Sequence, residues 1–324
     1  MKRLAAILLL VAFAISFCSC GDGKSEKEIF AMDTYMRLTV YGKDADSALE
    51  KAAEKITELD GRFSVSSVTG ELETLISDGK LNSPSAELIE MLTCAKILYE
   101  RTGGAYDITA YALSQLWKKC ESEGRAPTES EISEARALVG MDKISFDKSQ
   151  VLLNGVRGID LGSIAKGYAG REAASVLKSE GVSGGILTLG GNVVTFGEKP
   201  DGKPFKIGIT DPNAPETVCG YVTVGASNVV TSGKYNRNFT VDGRVYHHIL
   251  DVKTGYPCEN GIASVTVICD DGMWADALST ALFLIGKDAA LEYYRTYGGF
   301  EAVIITDSGE ITVTDGLTGS FSAE

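Results

Sequence analysis

The sequence predicts an α+β fold, a single large domain of antiparallel sheets flanked by helices. Two observations favour this class. Strand-like and helix-like segments do not alternate regularly, which argues against a doubly wound parallel sheet. The turns at 241–244 (VDGR) and 307–310 (DSGE) each separate two short runs of alternating apolar residues, a pattern typical of a β-hairpin. No internal repeat divides the chain, so one folded unit is expected.

The N-terminus has the pattern of an export signal. Lys2 and Arg3 precede an apolar run over 4–17, which is shorter than the roughly 20 residues of a membrane-spanning helix. The segment after this run ends at Cys20 and resembles a lipoprotein lipobox. We predict a lipoprotein signal peptide over 1–19, a lipid on Cys20, a flexible tether over 20–28 and the folded domain over 29–324. The protein would then lie on the extracytoplasmic face of the cell membrane. The alternative is a plain secretory signal.

The first half of the domain is predicted to begin with a strand and to continue with helices. Met36, Leu38 and Val40 alternate with polar residues, the period of a half-buried strand. The predicted helices run over 44–61 with Gly61 as the stop, from Ser83-Pro84 to Gly103-Gly104, from the capping box of Thr128 and Glu131 onward, and over about 164–180. A hairpin is expected over 143–155.

The second half is predicted to be mostly strands. The strand-like segments are 186–189, 205–210, 221–225, 237–250, 263–269 and 301–316. Helices are expected over 274–286 and 287–298, between the last two of these segments.

Charge and cysteine content exclude several classes of function. The 324 residues include 31 Lys plus Arg and 44 Asp plus Glu, a net charge of −13, so nucleic acid is not an expected partner. Five cysteines follow Cys20, an odd number without a CxxC pair. Neither a disulfide framework nor a zinc knuckle is therefore indicated, and we expect buried free thiols.

Two glycine-containing segments could bind a nucleotide. In GGAYDIT at 103–109, Asp107 could accept hydrogen bonds from a sugar or base, although a helix C-cap followed by an Asx-turn explains the same residues. In GIDLGSIAKGYAG, Asp160 and Gly162 precede a helix whose N-terminus, with Lys166, suits a phosphate. An ordinary strand-to-helix turn with a surface lysine is the alternative there.

Two later segments carry the other candidate groups. His247 and His248 are the chain's two histidines, and an imidazole titrates near neutrality, so one of them could act as an acid or base. Cross-strand packing in a hairpin is the alternative. Asp276 and Thr280 lie four residues apart on an apolar helix, which places their oxygens on one face. A hard cation such as Mg²⁺ would pair with that acid, unless Asp276 is only a first-turn residue favoured by the helix dipole.

Taken in order, these segments resemble the FAD:protein FMN transferase (ApbE) family. The resemblance runs from about Phe30 to about Ile285 and rests on the combination AMDT, GGAYD, DLGSIAKGYA, LGGN, SGKYNR, HILDVKTGYP and ADALSTALFLIG. It implies a single T-fold-like α+β domain, FAD as substrate, Mg²⁺ as cofactor, and transfer of FMN to a Thr or Ser hydroxyl of an acceptor protein with release of AMP. The acceptor would be a subunit of a membrane redox complex. Departures from the family pattern fall at Asp33, Ser163, Lys234 and Val252.

The resemblance also implies roles for individual residues. His248 would lie beside the reacting phosphate as the base, and Lys166 would neutralise the pyrophosphate. The implied FAD contacts are Met32, Phe63, Ala105, Tyr106, Asp107, Asp160, Lys166 and Leu250, and the implied metal ligands are Ser163, Asp276 and Thr280. Two rival functions use the same site: an FAD pyrophosphatase, in which water replaces the acceptor hydroxyl, and a lipoprotein that binds flavin without chemistry.

Overall fold

A computed structural model describes residues 23–42, 45–65, 67 and 69–324 of the protein. The predicted signal peptide over 1–19 and Cys20 lie outside the described residues. Within the described part of the chain, no helix is long and apolar enough to cross a membrane.

The fold is built on an eight-stranded antiparallel sheet in the order β1-β2-β6-β7-β10-β13-β14-β15. Its strands are β1 (Lys24–Ala31), β2 (Thr34–Tyr41), β6 (Gly184–Leu189), β7 (Asn192–Gly197), β10 (Ser227–Gly233), β13 (Ile262–Cys269), β14 (Glu301–Thr306) and β15 (Ile311–Val313). Strand β2 pairs directly with β6, so that Met36 lies opposite Leu189 although about half of the chain separates them. The α+β class with antiparallel sheets in a single domain is confirmed.

Three smaller sheets complete the β structure. One contains β8 (Phe205–Asp211), β9 (Ala214–Val224) and β16 (Phe321–Ala323), and another contains β3 (Lys80–Asn82), β4 (Ser145–Phe146) and β5 (Gln150–Leu152). The third is the hairpin of β11 (Asn238–Val241) and β12 (Arg244–His247). Asp242 and Gly243 form its two-residue turn with φ of 49° and 78°, a backbone that a type I′ turn requires. The VDGR segment therefore folds as predicted.

Helices pack on one face of the large sheet. They are α1 (Asp46–Phe63), α2 (Glu71–Asp78), α3 (Ala86–Arg101), α4 (Tyr111–Ser122), α5 (Glu129–Ala137), α6 (Ala165–Ser179), α7 (Gly272–Ile285) and α8 (Lys287–Tyr297). Apolar residues of α1 and α6 pack on β2, β6 and β7, while α3 and α7 pack in the largest core cluster with β10, β13 and β14. The opposite face of the sheet packs against β8 and β9. The fold thus has three layers: the large sheet lies in the middle, helices lie on one side, and the sheet of β8, β9 and β16 lies on the other. Helices α4 and α5 are the exception, since they pack against the hairpin of β11 and β12.

Several predicted boundaries are wrong. The tether predicted to reach residue 28 ends earlier, because β1 begins at Lys24 and pairs along its length with β2. Residues 24–28 are charged or polar and show no apolar alternation that would predict a strand. Lys27 forms an ion pair with Glu50 of α1. Helix α1 continues through Gly61, since a helical glycine destabilises by only about 1 kcal/mol.

The second predicted helix also begins later than expected. Its N-cap is Ser85, whose hydroxyl accepts from the Leu88 amide over 3.2 Å, and not the Ser83-Pro84 pair. By contrast, the capping box of Thr128 and Glu131 is formed as predicted at the start of α5. Helices α2 and α4 were not predicted, although each buries an apolar face, with Leu72 and Leu75 in α2 and Leu113 and Trp117 in α4.

Candidate active site

The site is organised by the close contact of α6 and α7. Gly167, in the first turn of α6, approaches α7 so closely that a Cβ on it would overlap the Gly272 carbonyl and lie 2.6 Å from the Asp276 Cβ. The approach lets the Gly167 amide donate to Asp276 Oδ2 over 2.8 Å. A helix N-terminus has amides without intrahelical partners and favours negative charge. The nearly buried Asp276 carboxylate, 3% exposed, is thereby held at the start of α6.

Lys166 lies between a carbonyl and this carboxylate. Its Nζ donates to the Gly162 carbonyl over 2.6 Å and lies 3.7 Å from Asp276 Oδ2. The lysine is half-buried and is therefore not the freely solvated surface lysine of the alternative interpretation. Its ammonium group shows that a cation fits among these oxygens.

Ser163 and Thr280 are fixed by other hydroxyl groups. The Ser163 hydroxyl lies 3.0 Å from that of Tyr106, and the Thr280 hydroxyl lies 2.9 Å from that of Ser232. Tyr106 is buried, and this burial raises the pKa of its phenol well above the ordinary value. A neutral phenol can keep the hydrogen bond to Ser163 at all physiological pH values.

The structure joins the two glycine-containing segments. The Asp160 amide donates to the Ile108 carbonyl over 2.7 Å, and Asp160 Oδ1 accepts from the Gly162 amide over 2.9 Å. Asp107 accepts from the Thr109 amide and hydroxyl and, over 3.3 Å, from the Met141 amide. Burial raises the pKa of Asp107. Its oxygens hold the loop together, which favours the Asx-turn interpretation, and its contact with a nucleotide stays a prediction.

The two histidines have different environments. His247, the last residue of β12, is buried, with Nε2 3.2 Å from the Cys258 carbonyl and Nδ1 accepting from the Ile249 amide over 3.3 Å. Burial lowers its pKa. His247 thus has the structural role that the hairpin alternative describes.

His248 lies just after the strand. The residue is exposed, but protein atoms surround much of its ring. Its Nδ1 is 3.1 Å from the Asn236 carbonyl, which can only accept, so Nδ1 carries the proton and Nε2 is the basic atom. Desolvation by surrounding atoms, the charge of Arg237 and smaller effects of His247 and Lys166 lower the pKa of His248 to about 4. The ring is therefore neutral near pH 7 and can accept a proton.

The remaining predicted contacts lie around this centre at different depths. Met32 and Asp33 form the turn between β1 and β2 with φ of 50° and 58°, which explains how Asp33 occupies a position where glycine is easier. The Asp33 carbonyl accepts from Arg237 over 3.1 Å, so this turn contacts the loop before β11, in which the Asn236 carbonyl accepts from His248. Leu250 packs in the cluster of Trp117 and Tyr246 beneath the hairpin.

Phe63 lies in the largest core cluster and is 3% exposed. Its contact with a flavin stays a prediction. The roles of Met32, Ala105 and Leu250 toward a nucleotide stay predictions.

The predicted metal ligands carry donor atoms of the type that a hard cation prefers. Asp276 supplies a carboxylate, Ser163 and Thr280 supply hydroxyls, and the Gly162 carbonyl already binds the Lys166 ammonium. Oxygen ligands with one carboxylate suit Mg²⁺, which also binds substrate phosphates. Among the described residues, no three His, Cys, Asp or Glu side chains form a metal cluster, as a zinc site would need. The five cysteines after Cys20 are free. Cys94, Cys120 and Cys258 are buried, as predicted, whereas Cys219 and Cys269 are half-buried.

Sequence reasoning missed three groups at this site. The Gly167 amide donates to Asp276, and the Asn236 carbonyl orients His248. Arg237 is the charged group that lowers the pKa of His248 most. The SGKYNR motif contains the last two and was the available signal.

Two cavities of about 430 and 390 Å³ lie elsewhere, beside α3.

Comparison with known proteins relates the chain to one family. The model of the ApbE family matches residues 32–304. A curated FAD:protein FMN transferase of Haemophilus influenzae is 31% identical over 96% of this chain and 96% of its own length.

Solved structures show the same fold. An ApbE protein from Thermotoga maritima is 33% identical with a TM-score of 0.84, covering 92% of this chain and 99% of its own. The flavinyl transferase ApbE of Pseudomonas stutzeri, in its apo form, is 27% identical with a TM-score of 0.76, covering 93% and 98%.

Proposed function

The chain belongs to the ApbE family, and from this we infer that it is an FAD:protein FMN transferase. The enzyme moves FMN from FAD to a Thr or Ser hydroxyl of an acceptor protein. The observation that carries the proposal is His248, whose Nδ1 donates to the Asn236 carbonyl so that Nε2 is the basic atom. The Lys166 ammonium at the carboxylate of Asp276 supports it.

The reaction that fits these groups is a phosphoryl-centre displacement. The acceptor hydroxyl oxygen attacks the FMN-side phosphorus, its proton passes to His248 Nε2, and the bond from that phosphorus to the bridging oxygen breaks. AMP leaves with that oxygen, and FMN stays on the acceptor as a phosphoester. Proton removal by a positioned base contributes about 10²–10⁴-fold to such a step.

Charge neutralisation comes from both the chain and a metal. Lys166 places an ammonium group beside Asp276, where it can neutralise a diphosphate. Ser163, Asp276 and Thr280 would hold Mg²⁺, which supplies charge stabilisation at the phosphoryl oxygens when bound. Tyr106 and Ser232 orient two of these ligands through their hydroxyl groups.

The cellular setting follows from the N-terminal sequence. We propose that a lipid on Cys20 anchors the enzyme at the extracytoplasmic face of the membrane. A subunit of a membrane redox complex would be an acceptor that such an enzyme can reach.

The test combines the purified enzyme, FAD, Mg²⁺ and an acceptor protein that carries a threonine flavinylation motif. We expect covalent flavin on the acceptor and AMP in solution, with none when FMN replaces FAD, because cleavage of the diphosphate drives the transfer. Free FMN and AMP without an acceptor would indicate an FAD pyrophosphatase instead. Intact bound FAD in the complete mixture would indicate a flavin-binding protein.

A further inference from the structure

Arg237 is an unpaired cation at the site. Among the described residues, no carboxylate lies within 4.0 Å of its guanidinium, although the chain has a net charge of −13. Its one hydrogen bond within this part of the chain runs from Nη2 to the Asp33 carbonyl over 3.1 Å. A guanidinium has five N–H donors, so most of them remain available to a ligand.

The backbone holds Arg237 beside His248. Arg237 has a left-handed φ of 46°, and the preceding residue, Asn236, supplies the carbonyl that accepts from His248. Asn238 stabilises this loop by donating to the carbonyls of Lys234 and Tyr235 over 3.3 and 3.0 Å. The position of Arg237 relative to the imidazole is therefore defined by several contacts.

Two cations from different parts of the fold act on the same imidazole. The charged groups that affect His248 are Arg237, Lys166 and the neighbouring His247, and all three disfavour its protonation. Lys166 comes from α6 and is paired with Asp276, whereas Arg237 comes from the loop before β11 and is not paired. An anion bound beside His248 would meet both charges.

We propose that Arg237 binds the diphosphate of the flavin dinucleotide together with Lys166, and so positions the reacting phosphate at His248. This inference rests on the proposed function. A guanidinium matches the geometry of phosphate oxygens. Arg237 also links the Met32–Asp33 turn to the loop before β11 through its hydrogen bond to the Asp33 carbonyl. Binding of the substrate and placement of the base are thus coupled through one side chain.

The binding test compares Arg237→Gln with Arg244→Gln. Arg244 is a matched control, since it lies in the adjacent hairpin but is paired with Glu259 over 2.9 Å. We expect Arg237→Gln to raise the Kd for FAD about tenfold or more and to leave the Kd for riboflavin, which has no phosphate, within about twofold. Arg237→Lys should retain part of the affinity, and Arg244→Gln should change neither Kd.

A second measurement is independent of flavin binding. The chain has two histidines, so NMR can follow His248 during titration with inorganic diphosphate. Arg237→Gln should need about tenfold more diphosphate than the wild type and Arg244→Gln. Equal Kd values for FAD in both glutamine variants, or equal losses for riboflavin and FAD, would overturn the inference. A wild type that binds no flavin would contradict the proposed function, and the diphosphate titration would then decide about Arg237.

Discussion

The backbone amide of Gly167 donates a hydrogen bond to the carboxylate of Asp276, 109 residues further along the chain. The contact closes the first turn of one helix with a side chain from another. It also fixes the carboxylate 3.7 Å from the Lys166 ammonium. The contact of the two helices therefore positions the carboxylate of the proposed metal site.

Replacing Gly167 with Ala should separate these helices. The added Cβ would lie 2.6 Å from the Asp276 Cβ, so we expect a loss of about 1–3 kcal/mol in the free energy of unfolding and a severe loss of turnover. Gly61→Ala is the control, because no atom lies within 4 Å of a Cβ there and alanine favours a helix by about 1 kcal/mol. Urea unfolding of both variants measures the difference. Equal stabilities would show that the contact tolerates a methyl group.

Asp276→Asn should abolish the Mg²⁺-dependent turnover of FAD while the fold is retained. The amide oxygen can still accept from Gly167, but the charge that binds a hard cation is lost. Loss even of an outer group at a metal site lowers affinity or activity about 10–100-fold, so a direct ligand should cost at least as much. Turnover of FAD at increasing Mg²⁺ concentrations measures the effect.

Asp271→Asn is the matched control for this experiment. Asp271 caps the same helix by accepting from the Trp274 amide and forms an ion pair with Arg171. This variant should lose stability and keep its response to Mg²⁺. A normal Mg²⁺ response in Asp276→Asn would show that the metal ligands lie elsewhere.

His248→Asn should slow the transfer far more than it changes FAD affinity. A base that acts on the attacking hydroxyl contributes about 10²–10⁴-fold, so turnover should fall on that scale. The measurement is the rate of covalent flavin incorporation into an acceptor, together with the Kd for FAD. A loss below about tenfold would assign the chemistry mainly to Lys166 and the metal.

His247→Asn should act on stability, because both ring nitrogens of this buried histidine are hydrogen-bonded to the backbone. Loss of these partners should cost about 1–3 kcal/mol in the free energy of unfolding. Denaturant titration measures it, and unchanged stability would mean that Asn replaces both contacts.

Acid should weaken the fold through the two histidines. Both have folded pKa values below the unfolded value of about 6.5, and that of His248 is about 4. The unfolded chain therefore binds protons first, so stability is complete above about pH 6.5 and declines as the pH falls towards 4. Urea unfolding between pH 5 and 8 should show this decline in the wild type. The decline should be smaller in His248→Asn, and an identical slope would contradict the assigned shift.

Cys20→Ala should release the protein from the membrane fraction. The apolar run before Cys20 is short, so anchoring would depend on the lipid. Fractionation of cells that express each form, with mass spectrometry of the N-terminus, gives the answer. Membrane association of both forms without an acyl group would exclude the lipoprotein prediction.

Local sequence signals predicted local structure well. The capping box of Thr128 and Glu131 and the VDGR hairpin depend on neighbouring residues, and both are present. The strand over 24–28 was missed, because its order depends on pairing with β2 and not on apolar residues of its own.

The site follows the same rule. Asp276 and Thr280 were predicted from their helical spacing, yet the amide of Gly167 that holds Asp276 comes from a distant segment. The tautomer of His248 depends on a carbonyl, and a carbonyl has no side-chain signature in a sequence. Phe63 has the residue type of a flavin contact, and only the packing of the core shows that its ring is buried.

The pairing of β2 with β6 has a consequence for synthesis of the chain. Met36, Leu38 and Val40 gain their sheet neighbour only after residues 184–189 have been synthesised and have reached the same side of the membrane. A ribosome that adds about 5–20 residues per second needs on the order of ten to thirty seconds for that distance. During this interval the nascent hairpin exposes an apolar edge, so a chain released before residue 184 should aggregate or bind a chaperone.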